Sequence, residues 1–352
     1  MTSSDTPALP LVSILMPVRN ETAFIARSLG AVLAQDYPVD RIEILVADGE
    51  SDDGTPDFIR SLPGGERVRI VPNPGRIQAA GLNLLIREAR GDVLVRVDGH
   101  TLIAPDYVRA CVDALRETGA WNVGGPMLPE GTTPMGKAIA AAGRSPFAVP
   151  SAFHVSQSAT WTDTVYLGAW PRWVFERVGG YNEQVGVNED YELNVRIRQA
   201  GGGIYLTPAI RSTYYGRQTL PELARQYRRY GQSKVRTLAA HPGSLRPRQL
   251  AAPVLVAALA LGGMLAWISR PIRILFGLLV LAYATANLLA SVHVASRSGW
   301  ALLPRLPAIF ATMHLSWGVG FWAGLGNALA ARIRHAAVRR TADQDPDQER
   351  YP

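Results

Sequence analysis

The chain reads as an α/β protein with a mostly parallel sheet, followed by apolar C-terminal helices. Three observations predict this. Strand-like and helix-like patterns alternate through the first hundred residues, three of the strand-like runs end in polar clusters, and three long apolar stretches follow residue 250. Alternation at this spacing favours right-handed crossovers between parallel strands.

VSILMPV (12–18) is a short buried-strand run. Residues 22–35 place Phe24, Ile25, Leu29, Val32 and Leu33 at helical spacing. IEILVAD (42–48) is a second strand, and SDDGTPDFIRSL then offers Ser, Asp and Thr caps with Pro56 near the first turn of a helix. VRIVPN (68–73) is a third strand and GRIQAAGLNLLIREA (75–89) a third helix. DVLVRVD (92–98) is the fourth strand, with Arg96 interrupting its apolar run. Pro105 and the apolar positions of 106–117 predict another helix, and WNVGGPM a strand with a glycine turn. Residues 129–163, rich in Gly, Pro, Ala and Ser, read as a mobile loop region. VFERVGGYNE and YELNVRIRQAGG are helical pieces with glycine stops, and ELARQYRRYGQSKVRTL is a basic amphipathic helix.

Apolar stretches at 250–268, 272–295 and 306–330 are each near the roughly 20 residues that cross a bilayer core. The 352-residue chain therefore divides into a flexible start (1–10), an α/β domain (11–245), a membrane domain of two to three helices (250–330) and a basic then polar tail (331–352). Its net charge of +7 suggests nucleic acid at first sight. The arginines, however, flank the apolar runs, from Arg211 to Arg248 and again at Arg332, Arg334, Arg339 and Arg340, which is the pattern of membrane topology and anionic headgroups. The positive-inside rule places the large domain in the cytoplasm; three spans would put the Arg-rich tail outside, against the same rule. MTSSDTPALP lacks the charged region and apolar core of a signal peptide. A single cysteine, Cys111, excludes an internal disulfide and reads as a small buried side chain. His293 and His314 are the histidines inside the apolar stretches, too few for a transport pathway.

In open α/β sheets, ligands bind outside the carboxyl ends of the strands. Three polar clusters fall there: Arg19-Asn20-Glu21, Asp48-Gly49-Glu50-Ser51 and Asp98-Gly99-His100. Asp98 and His100, two residues apart at a strand end, point the same way and suit Mg²⁺ or Mn²⁺ shared with a diphosphate. A capped strand end with a solvated histidine is the alternative. Asp48 can accept from a base N–H or a ribose hydroxyl, or simply start an Asx-turn. Glu189 and Asp190 begin a helix, where the dipole favours carboxylates; either could serve as general base for an acceptor hydroxyl. Gln226, Arg229 and Tyr230 cluster on the basic helix, where Arg grips a diphosphate or a lipid headgroup and Tyr stacks on a ring. G-x-G-x-x-G and Walker A patterns are missing after the first strand, which disfavours nicotinamide and P-loop phosphate chemistry.

SILMPVRNE, VADGESDDGT, VRVDGH and NEDYELNVRIRQAGG, in this order, resemble the family 2 glycosyltransferases of GT-A fold. NPGRIQAAGLN, DTVYLGAWPR and VFERVGGYNE extend the similarity to bacterial succinoglycan-type exopolysaccharide glycosyltransferases, over about residues 10–240 and the membrane tail in outline. The resemblance implies a Rossmann-like nucleotide-sugar domain, a donor usually UDP-linked, a divalent metal, and inversion at the anomeric carbon. It implies that Pro17, Asn20, Glu21, Asp48, Ser51, Arg76 and Asp98 line the nucleotide sugar, that Asp98 and His100 hold Mg²⁺ or Mn²⁺, and that Asp190, beside Glu189, is the catalytic base. Many members carry a second Asp where this chain has His100. Gln226, Arg229 and Tyr230 are similar to the Gln-x-x-Arg-Trp motif of processive synthases, with Tyr230 in place of Trp. The reading is a multi-pass enzyme of the bacterial inner membrane with a cytoplasmic catalytic domain, using a nucleotide-sugar donor and a polyprenyl-diphosphate-linked saccharide acceptor. A processive polysaccharide synthase and a non-catalytic nucleotide-sugar-binding scaffold are the alternatives.

Overall fold

The computed structural model describes residues 8–148, 158–185 and 189–343. The chain forms two compact units: residues 1–218 with 290–306, and residues 219–289 with 307–352.

In the first unit, strands β1 (Val12–Val18), β2 (Ile42–Asp48), β3 (Val68–Pro72) and β4 (Val93–Arg96) alternate with helices α1 (Ile25–Leu33), α2 (Thr55–Ser61) and α3 (Gln78–Glu88). These strands pair in parallel, in the order β3-β2-β1-β4. Beyond them come β5 (Thr101–Ile103), α4 (Tyr107–Thr118), β6 (Asn122–Gly125), β7 (Met127–Glu130), α5 (Pro134–Gly143), β8 (Thr160–Trp161), β9 (Tyr166–Pro171), α6 (Trp173–Val178), α7 (Glu189–Gln199), β10 (Ile204–Leu206) and β11 (Ser212–Tyr215). The large sheet continues β4-β9-β6-β10-β8, with β9 antiparallel to both neighbours, and β5-β11-β7 form a second small sheet. Side chains alternate across the large sheet as strand geometry requires. Val12, Ile14, Met16, Ile44, Val46, Val93 and Val95 pack in one core layer; Leu15, Leu45, Ala47 and Leu94 pack in the other, with Leu193 and Ile197 of α7. Cys111 is buried in the first layer, where burial pushes its thiol pKa up.

Several expectations are corrected. The fourth strand ends at Arg96, so Asp98 and His100 stand on the turn after it and not on the ladder itself. WNVGGPM is two strands in two sheets, and Gly125 is required by close packing: a Cβ there would lie 1.6 Å from the Ile210 carbonyl oxygen. Part of the loop-like stretch 129–163 is helix α5, capped by Thr133, whose Oγ1 accepts from the Gly136 N–H at 2.9 Å. Residues 149–157 of that stretch lie outside the described residues, as do 1–7 of the N-terminal segment and 344–352 of the tail.

The second unit contains helices α8 (Leu220–Ala240), α9 (Ala251–Leu265), the first part of α10 (Arg270–Ser298) and most of α11 (Leu306–Asp343). Two helical segments, Pro247–Leu265 and Arg270–Ser298, are long and apolar enough to cross a membrane, by length and composition. The third stretch differs, because its apolar residues are diluted by Gly, Ser, His and Trp and only some of them are buried. Ile309, Phe310, Met313, Trp317 and Phe321 are buried, and the α11 backbone closes on its neighbours through glycines. A Cβ on Gly320 would sit 2.1 Å from the Arg228 carbonyl, and one on Gly318 would sit 2.5 Å from that of Ala252. Helices approach this closely only at small residues. Trp322 Nε1 also donates to the Pro253 carbonyl at 2.9 Å.

Candidate active site

The three polar clusters gather at the carboxyl rim of the parallel strands, as the order β3-β2-β1-β4 demands. Pro17 is next to last in β1 and pairs in register with Ala47. Asn20 follows with φ of 55°, a left-handed conformation that asparagine tolerates. Its N–H donates to Ser51 Oγ at 2.9 Å, and its side-chain oxygen accepts from the Asp52 N–H at 3.0 Å. Ser51 in turn donates to Asp48 twice, through Oγ at 2.6 Å and through N–H at 3.1 Å. The Asx-turn at Asp48 is therefore present, and it orients a buried carboxylate at the rim. Glu50 and Arg76, both with positive φ, form an ion pair across the mouths of β2 and β3. Asp53 is held down to about 2 by hydrogen bonds from Thr55 and Thr22 and ties α2 to the turn after β1.

The Glu21 N–H donates to Thr55 Oγ1 at 3.0 Å, and the Glu21 carboxylate meets His100 Nδ1 at 2.9 Å. Gly99 permits this approach, since a Cβ there would press on Glu21 Cγ at 3.1 Å. Burial pulls the His100 pKa down, but the Glu21 hydrogen bond and the charge of Asp98 outweigh it, and the net shift is upward. Asp98 is buried and accepts from Arg96 Nε at 2.8 Å, Arg96 Nη2 at 3.2 Å and Gln78 Nε2 at 3.1 Å. Burial alone would raise its pKa; the Arg96 charge and hydrogen bonds outweigh that and hold it below the ordinary carboxylate value.

Arg96 carries the network across the site. Its Nη1 donates to Glu189 Oε1 at 3.1 Å, joining the turn after β4 to the first turn of α7, 93 residues away in sequence. Asp190 follows directly, with its Oδ1 accepting from the Tyr191 N–H at 2.7 Å. Burial pushes both acids up, Glu189 to about 7, against the pull of Arg96. The sequence-predicted residues Asn20, Glu21, Asp48, Ser51, Asp98, His100, Glu189 and Asp190 are thus brought together by direct bonds, through Arg96, or by lying within two residues of one another in the chain. Arg76 contributes through Glu50. Gln226, Arg229 and Tyr230 belong to α8 of the second unit, where Gln226 Nε2 donates to the Tyr230 hydroxyl at 2.9 Å. The sequence reading missed Arg96 and Gln78 as members of the site. A lone arginine inside an apolar strand was the available signal for the first; nothing local marks the second.

The donor set suits a cation brought in with a diphosphate. Among the described residues no three His, Cys, Asp or Glu side chains form a closed metal cage. His100, however, has Nδ1 bonded to a carboxylate, the arrangement that orients a metal-binding imidazole and leaves Nε2 as its ligand atom. Asp98 beside it is ionised. A Mg²⁺-type ion commonly takes only one or two protein ligands and completes its shell with phosphates and water.

A model of the family described as Glycosyl transferase family 2 matches residues 13–136. The succinoglycan biosynthesis protein ExoA of Rhizobium meliloti (strain 1021) is 31% identical over 315 residues, spanning 88% of this chain and 93% of that protein. A Methanococcus voltae dolichyl N-acetyl-alpha-D-glucosaminyl phosphate 3-beta-D-2,3-diacetamido-2,3-dideoxy-beta-D-glucuronosyltransferase is 26% identical over 324 residues, spanning 89% and 97%. Among solved structures, the mannosyltransferase PcManGT from Pyrobaculum calidifontis in complex with GDP-Man and Mn²⁺ superposes with a TM-score of 0.56 at 22% identity, over 89% of this chain and 88% of that one. With a GT-A sheet, a polar rim at its carboxyl ends and near-full-length similarity to such a relative, the chain belongs to glycosyl transferase family 2 and is a glycosyltransferase.

Proposed function

We propose that this glycosyltransferase is membrane-bound and moves a sugar from a UDP-linked donor to a lipid-linked saccharide, with inversion, in exopolysaccharide or cell-surface glycan synthesis. The observation that supports the reading is that three bonded groups, Asp48–Ser51–Asn20, Glu21–His100 and Asp98–Arg96–Glu189, follow one another in the polar rim; we read them as the parts that meet the nucleotide, the diphosphate and the acceptor proton. The names of the relatives support the substrate class: one acts in succinoglycan biosynthesis, one on a dolichyl-phosphate-linked sugar.

Asp48, oriented by Ser51, accepts from the base or ribose. Asn20, Glu21 and Arg76 complete the nucleotide side. Asp98 and His100 would hold Mg²⁺ or Mn²⁺, which when bound neutralises charge developing on the departing diphosphate. Asp190 takes the proton of the acceptor hydroxyl on its carboxylate as that oxygen attacks from the face opposite the diphosphate. Alignment of the two substrates contributes several kcal/mol more, about 7 in well-oriented cases. Gln226, Arg229 and Tyr230 would meet the diphosphate or the acceptor. Helical segments Pro247–Leu265 and Arg270–Ser298 would cross the bacterial inner membrane, with the arginines from Arg225 to Arg248 holding the catalytic unit on the cytoplasmic side.

Membranes containing the enzyme, assayed with a panel of nucleotide sugars with and without lipid-linked acceptors and chelator, test the reading. Asp190→Asn should retain donor binding and lose transfer by about 10²- to 10⁴-fold. Retained turnover in that variant would remove Asp190 from its role, and polymer formed without a lipid acceptor would favour a processive synthase.

A further inference from the structure

Arg96 is the last residue of β4, and strand alternation places it on the same face as Leu94. That face is covered by Leu193 and Ile197 of α7. An arginine at this position, at the rim and under the first turn of α7, can reach both the turn after its own strand and the start of the helix. Its guanidinium does both. The Nε and Nη2 edge grips the two oxygens of Asp98, and Nη1 is left to reach Glu189. The ring of Tyr181 lies 6.0 Å away, within cation–π range. The side chain of Arg96 is 6% exposed, and those of Asp98 and Glu189 are 10% and 5% exposed. A hydrogen-bonded triad this deeply buried holds its geometry, because burial keeps water from competing for the fork.

We propose that Arg96 is the positioning residue of this active site: anchored on Asp98, it fixes the carboxylate of Glu189 and with it the first turn of α7, from which Asp190 meets the acceptor. The inference rests on the assignment of Asp190 as the base. It goes further in giving the two halves of the site, 93 residues apart, a single mechanical link. The link needs the planar fork of arginine. The single ammonium of lysine keeps the charge but cannot hold a bidentate bond to one carboxylate and reach a second.

Four variants test this: Arg96→Lys, Glu189→Ala, the double variant and Asp190→Asn. Each is measured for kcat and donor KM, for calorimetric affinity toward UDP with Mn²⁺, and for thermal melting. Misplacing a catalytic group by about 1 Å can cost on the order of 10²-fold in rate. Arg96→Lys should therefore lose on the order of 10²-fold in kcat, with donor KM and UDP·Mn²⁺ affinity within about threefold of the parent. Groups that act through one another are non-additive, so the double variant should be no slower than the slower single one. Multiplying losses would overturn the proposal. So would a loss in UDP·Mn²⁺ affinity that accounts for the whole effect, which would make Arg96 a counter-ion of Asp98 alone. If Arg96→Lys does not fold, Glu189→Ala carries the test, since it removes the acceptor of Arg96 Nη1 and leaves both Arg96–Asp98 bonds in place: an unchanged kcat refutes the link. Asp190→Asn separates the two readings. Turnover in that variant removes both, whereas a dead Asp190→Asn with additive losses elsewhere removes only the role of Arg96.

Discussion

Replacing Glu189 by glutamine should change how the stability of the protein depends on pH, and the structure sets the size and sign of the effect. Burial drives the Glu189 pKa from an ordinary 4.5 up to about 7, with Arg96 pulling it down and Asp190 pushing it up. The folded state therefore holds this proton more tightly than the unfolded chain does. The resulting stabilisation is fully present below the unfolded value and is lost as pH rises through about 7. At about 1.4 kcal/mol per pKa step, the gap from 4.5 to about 7 corresponds to about 3 kcal/mol at most, because Asp190 shares the titration. About 2 kcal/mol of it falls between about pH 5.5 and about pH 8.5. Glutamine cannot titrate, so wild-type protein should lose about 2 kcal/mol relative to Glu189→Gln across that interval. Guanidinium unfolding of the detergent-solubilised protein at the two pH values, followed by tryptophan fluorescence, measures the difference. Stability curves that stay parallel to within about 0.5 kcal/mol would show that Glu189 is not a buried, proton-holding acid and would refute the electrostatics argued for the site.

Other outcomes follow from the same structure. Protons compete with cations for imidazole, so Mn²⁺ affinity should fall on acidification, beginning above the ordinary histidine range because the net shift of His100 is upward; His100→Asp should move that fall to lower pH in a calorimetric titration, and coincident profiles would exclude His100 as a ligand. Leu45, fully buried in the core layer that packs against α7, should cost about 2–5 kcal/mol when cut to alanine, measured by denaturant midpoint at constant slope. Gly125→Ala should destabilise by at least about 1–3 kcal/mol, since its Cβ would overlap the Ile210 carbonyl; a wild-type melting temperature would contradict the packing described. Leu281→Arg, on an exposed apolar face of α10, should raise the cost of insertion by about 2.5–3.5 kcal/mol and lower the carbonate-resistant membrane fraction; an unchanged fraction would argue that α10 does not span.

How much of this was legible beforehand can be argued from single residues. Asp48 and Asp98 were legible because each follows an apolar strand of known period, and a parallel sheet collects such ends on one rim. The pair Glu189–Asp190 was legible as a helix start. Arg96 was visible only as an interruption. Its role depends on which face of β4 it occupies and on α7 folding back over that face, which no local pattern encodes. Gln78 is the same case, because the first residue of a helix becomes an Asp98 partner only once α3 packs over β1 and β2. The small sheet β5-β11-β7 was hidden because its three strands are three or four residues long and are separated by long stretches of chain. Strands that short carry no period to read.

Periodicity and strand-end chemistry, which act over a few residues, determined the α/β class, the site rim, and the two apolar segments long enough for a bilayer. Tertiary structure decided which charges meet. A buried arginine can satisfy two carboxylates only if the chain between them, 93 residues here, returns to within hydrogen-bond distance, and that return is set by the packing of whole layers. It also decided that the third apolar stretch packs through its glycines, because hydropathy records how apolar a helix is and not what its apolar face touches.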